Sequence, residues 1–432
     1  MATFPSSLKV GELVSYLSTL SRSLNSISEM RSTRSPVSPL KARNMAEEIA
    51  VGVEVKFLIP FLPRGGLREK HGPKSLIRKT SHVSDTRNVR GSEREKLLRE
   101  TFSSVADVIK AVPGQDAVTS YDLKEHKEQE RDCWATRWIV KKANSAEPGK
   151  DDPEKDNYVW VPVEINTPKM AWEDPSTPKS VEAVIKALRA AFYVVSNYSC
   201  EVHVHVGRMD GCPFLLPSMK RMAILLWMAE PIMRRVKDPR SPNFDHIYTW
   251  SSALREHSRL AKDIHGDNIP PVDALDNLNP SLLKYLQCKQ AAYPEHQKAI
   301  ACIWKATNYI ELGQLMSGKT LNYRRLGFNF SAMGEEDDRA RRNPKTLECR
   351  FLEGVMDEAV IISWIRAFVA MIQAGLDGVD ATRRFVNTVI RLVAEADQPP
   401  FAGAFKKLMD DLGLDSKEYG PVQALIEKIH SE

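Results

Sequence analysis

"CEVHVHVG", residues 200–207, places His203 and His205 one residue apart inside a run of valines. Successive strand side chains point to opposite faces, so Val202, Val204 and Val206 line one face while Glu201, His203 and His205 share the other. The stretch reads as a strand with one apolar and one chemical face. A His-x-His strand by itself fits a polar surface as well as a metal or catalytic site, and the neighbouring strands have to decide between them.

Three further stretches repeat the pattern. In "IAVGVEVKFLIPF", residues 49–61, Val51, Val53, Val55 and Phe57 alternate with Gly52, Glu54 and Lys56. In "NYVWVPVEI", residues 157–165, Val159, Val161, Val163 and Ile165 leave Glu164 on the other side, and a hairpin with "CWATRWIVKKA", residues 133–143, is expected. In "KTLECRFLEG", residues 345–354, Leu347, Cys349 and Phe351 oppose Glu348 and Arg350. Another strand is expected within "LNYRRLGFNFSAM", residues 321–333. As the polar face of one sheet, these strands would gather three carboxylates, two imidazoles and two cations, a set suited to divalent metal and polyphosphate. Carboxylate oxygens favour Mg²⁺ or Mn²⁺, with an imidazole as a common additional ligand.

Helical spacing accounts for much of the remainder. Ser180 is expected to cap a helix carrying Val181, Val184, Ile185, Leu188, Phe192 and Val195. "PSMKRMAILLWMAEPIMRRV", residues 217–236, reads as a long helix kinked at Pro231, its Met and Trp residues in the core. "EAVIISWIRAFVAMI", residues 358–372, is an apolar helix behind the strands. The class is therefore α+β: a sheet with helices packed on one face and a polar cleft on the other. Residues 1–45, rich in Ser, Arg and Pro, read as a flexible tail, residues 46–395 as the catalytic domain, and residues 396–432 as a helical extension. The basic run over residues 64–100 reads as a solvated loop, or as one that folds over an anionic ligand.

Bulk composition narrows the function classes. With 432 residues and 42% hydrophobic content the chain can bury a large core. A net charge of +5 with 27% charged residues demands neither nucleic acid nor an anionic membrane as partner. Six cysteines without CxxC spacing argue against a zinc ribbon or a disulfide scaffold, and a cytoplasmic protein with reduced thiols is expected.

"GVEVKF", "VEINTP", "CEVHVHVG" and "LECRFLEG", in that order over about residues 48–375, resemble the motifs of the amidoligase family, carboxylate–amine ligases with the fold of glutamine synthetase and glutamate–cysteine ligase. The resemblance implies an ATP-dependent, Mg²⁺-dependent enzyme, with Mn²⁺ as an alternative, that joins a small-molecule or peptide carboxylate to an amine through an acyl phosphate. It implies metal ligation by Glu54, His203 and Glu348, with Glu164 at a second metal or on the amine side. It gives Arg350 to phosphoryl or carboxylate neutralisation and His205 to orientation, with Arg324, Arg325 and Asn329 as contacts to nucleotide or substrate.

Two positions depart from the family pattern. Lys56 stands where the motif has a second Glu, and Glu201 where it has Gly. An ammonium about 4 Å from a divalent ion opposes it by about 8 kcal/mol at an effective dielectric near 20. Lys56 therefore acts as a fixed counter-charge in a site with fewer metals, or marks a non-catalytic protein on a degenerate ligase fold. A metal-dependent hydrolase using the two histidines is the remaining alternative.

Overall fold

The computed structural model describes residues 47–64, 76–79, 91–125, 130–150, 152, 154–242, 244, 251–266, 275, 278–288, 294–318 and 324–431. The 1–45 tail and most of the basic run, residues 65–75 and 80–90, lie outside them. From Glu47 onward the chain forms one compact unit.

Valine-rich alternation produces one sheet of nine described strands. They are β1 (Ile49–Leu62), β2 (Arg78–Lys79), β3 (Ala117–Thr119), β4 (Trp138–Lys142), β5 (Val159–Asn166), β6 (Met170–Ala171), β7 (Val202–Arg208), β8 (Phe328–Asn329) and β9 (Thr346–Leu352). The main path runs β3-β4-β5-β1-β7-β9-β8, with β2 and β6 paired to β1. All pairings are antiparallel except β1 with β2 and β3 with β4. The β4–β5 hairpin forms as the turn-rich segment between them suggests.

Side-chain period decides which face enters the core. Val51, Val53, Val55 and Phe57 of β1 join Val161, Val163 and Ile165 of β5, Val202, Val204 and Val206 of β7, and Leu347, Cys349 and Phe351 of β9 in one apolar cluster. Four helices close over it: α1 (Gly91–Lys110), α2 (Ser176–Ala191), α3 (Leu216–Met233) and α4 (Glu358–Gly375). Two smaller helices, α5 (Ala404–Leu412) and α6 (Ser416–Ser431), add Phe405, Leu408, Val422 and Ile426 to the same core. Among the described residues, α4 is the one helix apolar and long enough to cross a membrane, and 67% of it is buried in the fold.

Four local expectations need correction. Residues 91–100 form the first half of α1, because Leu97, Leu98, Thr101, Phe102 and Val105 recur at helical spacing and are buried. Helix α2 begins at Ser176, four residues before Ser180, since Pro178 is tolerated in a first turn whose N–H groups have no intrahelical partner. The long helix expected through Val236 is shorter: α3 runs through Pro231 and ends two residues later, followed by a 3₁₀ turn at Arg234–Val236. In "LNYRRLGFNFSAM" the described strand is only Phe328–Asn329, followed by a helical turn at Ser331–Gly334.

Candidate active site

The opposite face of the sheet is polar across its centre, and strand register sets the order of its groups. Glu54 stands across from Asn166 of β5 and His203 of β7, while Lys56 stands across from Glu164. His205 faces Gly52 on one side and Glu348 on the other, and Asn329 of β8 faces Glu348. Beyond Lys56 the row ends at Leu58, which packs with Ala143, Ala146 and Cys200 in a small apolar cluster.

This face is buried rather than washed by solvent. Lys56, Glu164, Glu201, His203, Glu348 and Arg350 are all less than one-tenth exposed. The side chains of Glu54 and His205 are the openings, exposed by 23% and 26%. Buried charges must be paired, and these are. His203 Nδ1 lies 3.0 Å from Glu54 Oε2 and 3.2 Å from Glu348 Oε1, and its Nε2 lies 3.0 Å from Glu201 Oε2. Arg350 donates to Glu348 Oε1 at 2.5 Å, with its other terminal nitrogen 3.8 Å from Glu201. Asn329 donates to Glu348 Oε2 at 2.6 Å, and its carbonyl oxygen accepts the Ser331 N–H.

The two departures from the motif pattern meet here: Lys56 Nζ donates to Glu201 Oε2 at 3.2 Å. Each supplies the other's counter-charge. On the far side, Lys141 of β4 pairs with Glu164 at 3.0 Å.

Protonation follows from these partners. Burial raises the Glu54 carboxyl, but hydrogen bonds from His203 and His205 prevail and hold it well below the usual range. Glu201 is brought down to about 2, burial being outweighed by Lys56 and His203. Glu348 is likewise lowered against burial by Arg350 and the two histidines. Glu164 goes the other way, raised by burial and by repulsion from Glu54 despite Lys141. His203 is raised to about 9: burial, Arg350 and Lys56 oppose its charge, and the hydrogen bonds to Glu201 and Glu348 override them.

The atoms best arranged to hold a cation are not those the motifs suggest. Ligand atoms of Glu54, His205 and Glu348 lie within 4.8 Å of one another. His205 Nε2 is buried, 3.4 Å from Glu54 Oε1 and 3.7 Å from Glu348 Oε1. His203, expected as a ligand, has both ring nitrogens engaged, Nδ1 by Glu54 and Nε2 by Glu201. Two carboxylates and an imidazole fit Mg²⁺ or Mn²⁺.

Arg324 pairs with Asp337, and Arg325 gives its carbonyl to the Ser252 N–H. The sequence reading passed over three members of the face. Lys141 and Asn166 were readable by alternation along β4 and β5, each two residues from a core position or from Glu164. The third, Thr346, is 3.4 Å from His205 Nδ1 at the start of β9 and carries no recognisable signal.

Comparison with known families gives one match: a family model described as "putative amidoligase enzyme" covers residues 90–372, well over half of the chain. No curated protein and no solved structure matches. The match begins after β1, so Glu54 and Lys56 join the matched region through their register with β5 and β7.

Proposed function

The chain belongs to this amidoligase family, and from that premise we propose that it is an ATP- and Mg²⁺-dependent ligase that joins a carboxylate to an amine through an acyl phosphate, on a glutamine synthetase-like scheme. The observation that carries the reading is the convergence of Glu54, His205 and Glu348 beside the Arg350 guanidinium. A divalent cation held by those three residues would neutralise charge on the nucleotide phosphates.

A carboxylate is a poor electrophile at neutral pH, so its oxygen first attacks the γ-phosphorus and ADP departs. The amine nitrogen then attacks the acyl carbon, the carbon–oxygen bond to phosphate breaks, and a proton leaves the nitrogen. Arg350 supplies fixed positive charge at the oxygens that gather it. Asn329 and His203 hold Glu348 and Glu54 in place. Glu164, the one carboxylate of the row that burial leaves raised, is the one best suited to take the amine's proton. Five described free cysteines and the burial of α4 are in keeping with a cytoplasmic setting.

Hydroxylamine, as a small amine, tests the reading: with Mg-ATP and a panel of amino-acid and peptide carboxylates, hydroxamate should form together with equimolar ADP. Amide hydrolysis indifferent to ATP would replace the ligase by the hydrolase. No ADP with any carboxylate would leave the degenerate-fold reading.

A further inference from the structure

Four carboxylates line the polar face, yet they are not equivalent as cation sites. Glu201 is committed to the Lys56 ammonium at 3.2 Å and to His203 at 3.0 Å. Glu164 is committed to the Lys141 ammonium at 3.0 Å, while the Asn166 amide nitrogen lies 3.5 Å from the same oxygen. The backbone holds both pairs: Lys141 stands directly across from Glu164 on β4, and the Lys56 N–H donates to the Glu201 carbonyl at 3.3 Å, while Lys56 also stands across from Glu164 on its other side. Glu348 is paired too, with Arg350 at 2.5 Å and Asn329 at 2.6 Å, but it and Glu54 are the two of the four whose oxygens lie beside a further ligand atom, His205 Nε2, at 3.7 and 3.4 Å.

We propose that this site holds one divalent cation, at Glu54, His205 and Glu348, and that the ammonium groups of Lys56 and Lys141 are permanent cations occupying the flank where a second ion would otherwise sit. A covalently attached ammonium cannot be diluted away, chelated or exchanged. The charge on the Glu164 side is therefore set by the fold, and that on the His205 side by metal concentration. A second divalent ion at Glu164 would have to displace Lys141 and sit within reach of Lys56, against the repulsion of both. The inference rests on the ligase reading for its one metal.

Mn²⁺ alone is the probe, its free signal followed by electron paramagnetic resonance as metal-free full-length protein is titrated. One ion per chain is expected, retained within about twofold in affinity by Glu164→Gln and weakened on the order of 100-fold by Glu348→Gln. Because a buried substitution can unfold the chain, Lys141→Met, at a side chain 28% exposed, provides an independent arm. It should admit a second, weaker ion at millimolar Mn²⁺. Two ions on the wild type, one of them lost in Glu164→Gln, would overturn the inference and leave the ligase reading standing. No second ion in Lys141→Met would remove Lys141 as the stand-in cation. No Mn²⁺ on the wild type would overturn both.

Discussion

Glu348 and Glu230 are both buried carboxylates, and their environments send them in opposite directions. Glu348, on β9, has Arg350 at 2.5 Å and His203 at 3.2 Å, and these cations lower its pKa despite complete burial. Glu230, within the apolar helix α3, accepts the backbone N–H groups of Leu254 and of Arg255, the latter at 2.7 Å. Burial outweighs those dipoles and raises it to about 7. Desolvation is common to both; formal charge within hydrogen-bond reach separates a carboxylate built to stay ionised from one that anchors a loop. The polar face of the sheet is thus an electrostatic device, and the helical layer is a packed core that tolerates one acid.

The largest effect that would sharpen this contrast concerns strand phase. Cys349 is fully buried on the apolar side between Glu348 and Arg350. Cys349→Asp should yield no folded protein, because an unpaired charge among valines costs several kcal/mol. Glu348→Gln should keep the native circular dichroism while turnover falls to background. Tolerance of the first together with unfolding by the second would put β9 one residue out of phase and dissolve the site.

Next in size is the Lys56–Glu201 pair. Removing one partner by Lys56→Met or Glu201→Leu strands a buried charge, and urea unfolding should show a loss of about 3–5 kcal/mol for either. Because the residues are in contact, the double variant should fall well short of the sum of the singles. Strict additivity would mean that each charge answers to other neighbours.

The smallest effect is at Glu230. Its folded pKa of about 7 lies above the ordinary 4.5, so the folded chain holds the proton longer than the unfolded one. Its stabilising contribution is greatest below pH 4.5 and is lost as pH rises towards about 7. Glu230→Gln should cost about 1–2 kcal/mol at low pH through imperfect pairing with two N–H donors. The wild type's advantage should shrink as pH rises through that window. A difference in melting temperature that stays flat from acid to neutral pH would mean that Glu230 is already ionised, and the contrast with Glu348 would fail.

Much of this was legible along the chain, for a physical reason. Alternation with period two is a local property, so Glu54, Glu164, His203, His205, Glu348 and Arg350 could be assigned to one face before any strand was paired with another. What could not be read is which of them touch. The different carboxylate contacts of His203 and His205 depend on the register of β1 and β9 against β7, a contact of residues more than one hundred apart in sequence. The same holds for the Lys56–Glu201 pair, two departures that read separately as defects and together as one ion pair. Asn329 is another such contact: its amide donates to Glu348 across β8 and β9. The close approach of β8 that puts it there depends on Gly327, where a Cβ would lie 1.9 Å from the Phe351 ring.

The most direct test of the ligase with a cation at Glu54, His205 and Glu348 is the thermal unfolding of wild type and His205→Ala with Mg²⁺, ATP and both. The expected result is a raised melting temperature for the wild type with Mg-ATP, corresponding to about 2.7 kcal/mol at ligand one hundred times its dissociation constant, and largely lost in His205→Ala. A wild-type melting curve unmoved by saturating Mg-ATP relative to metal alone would contradict it.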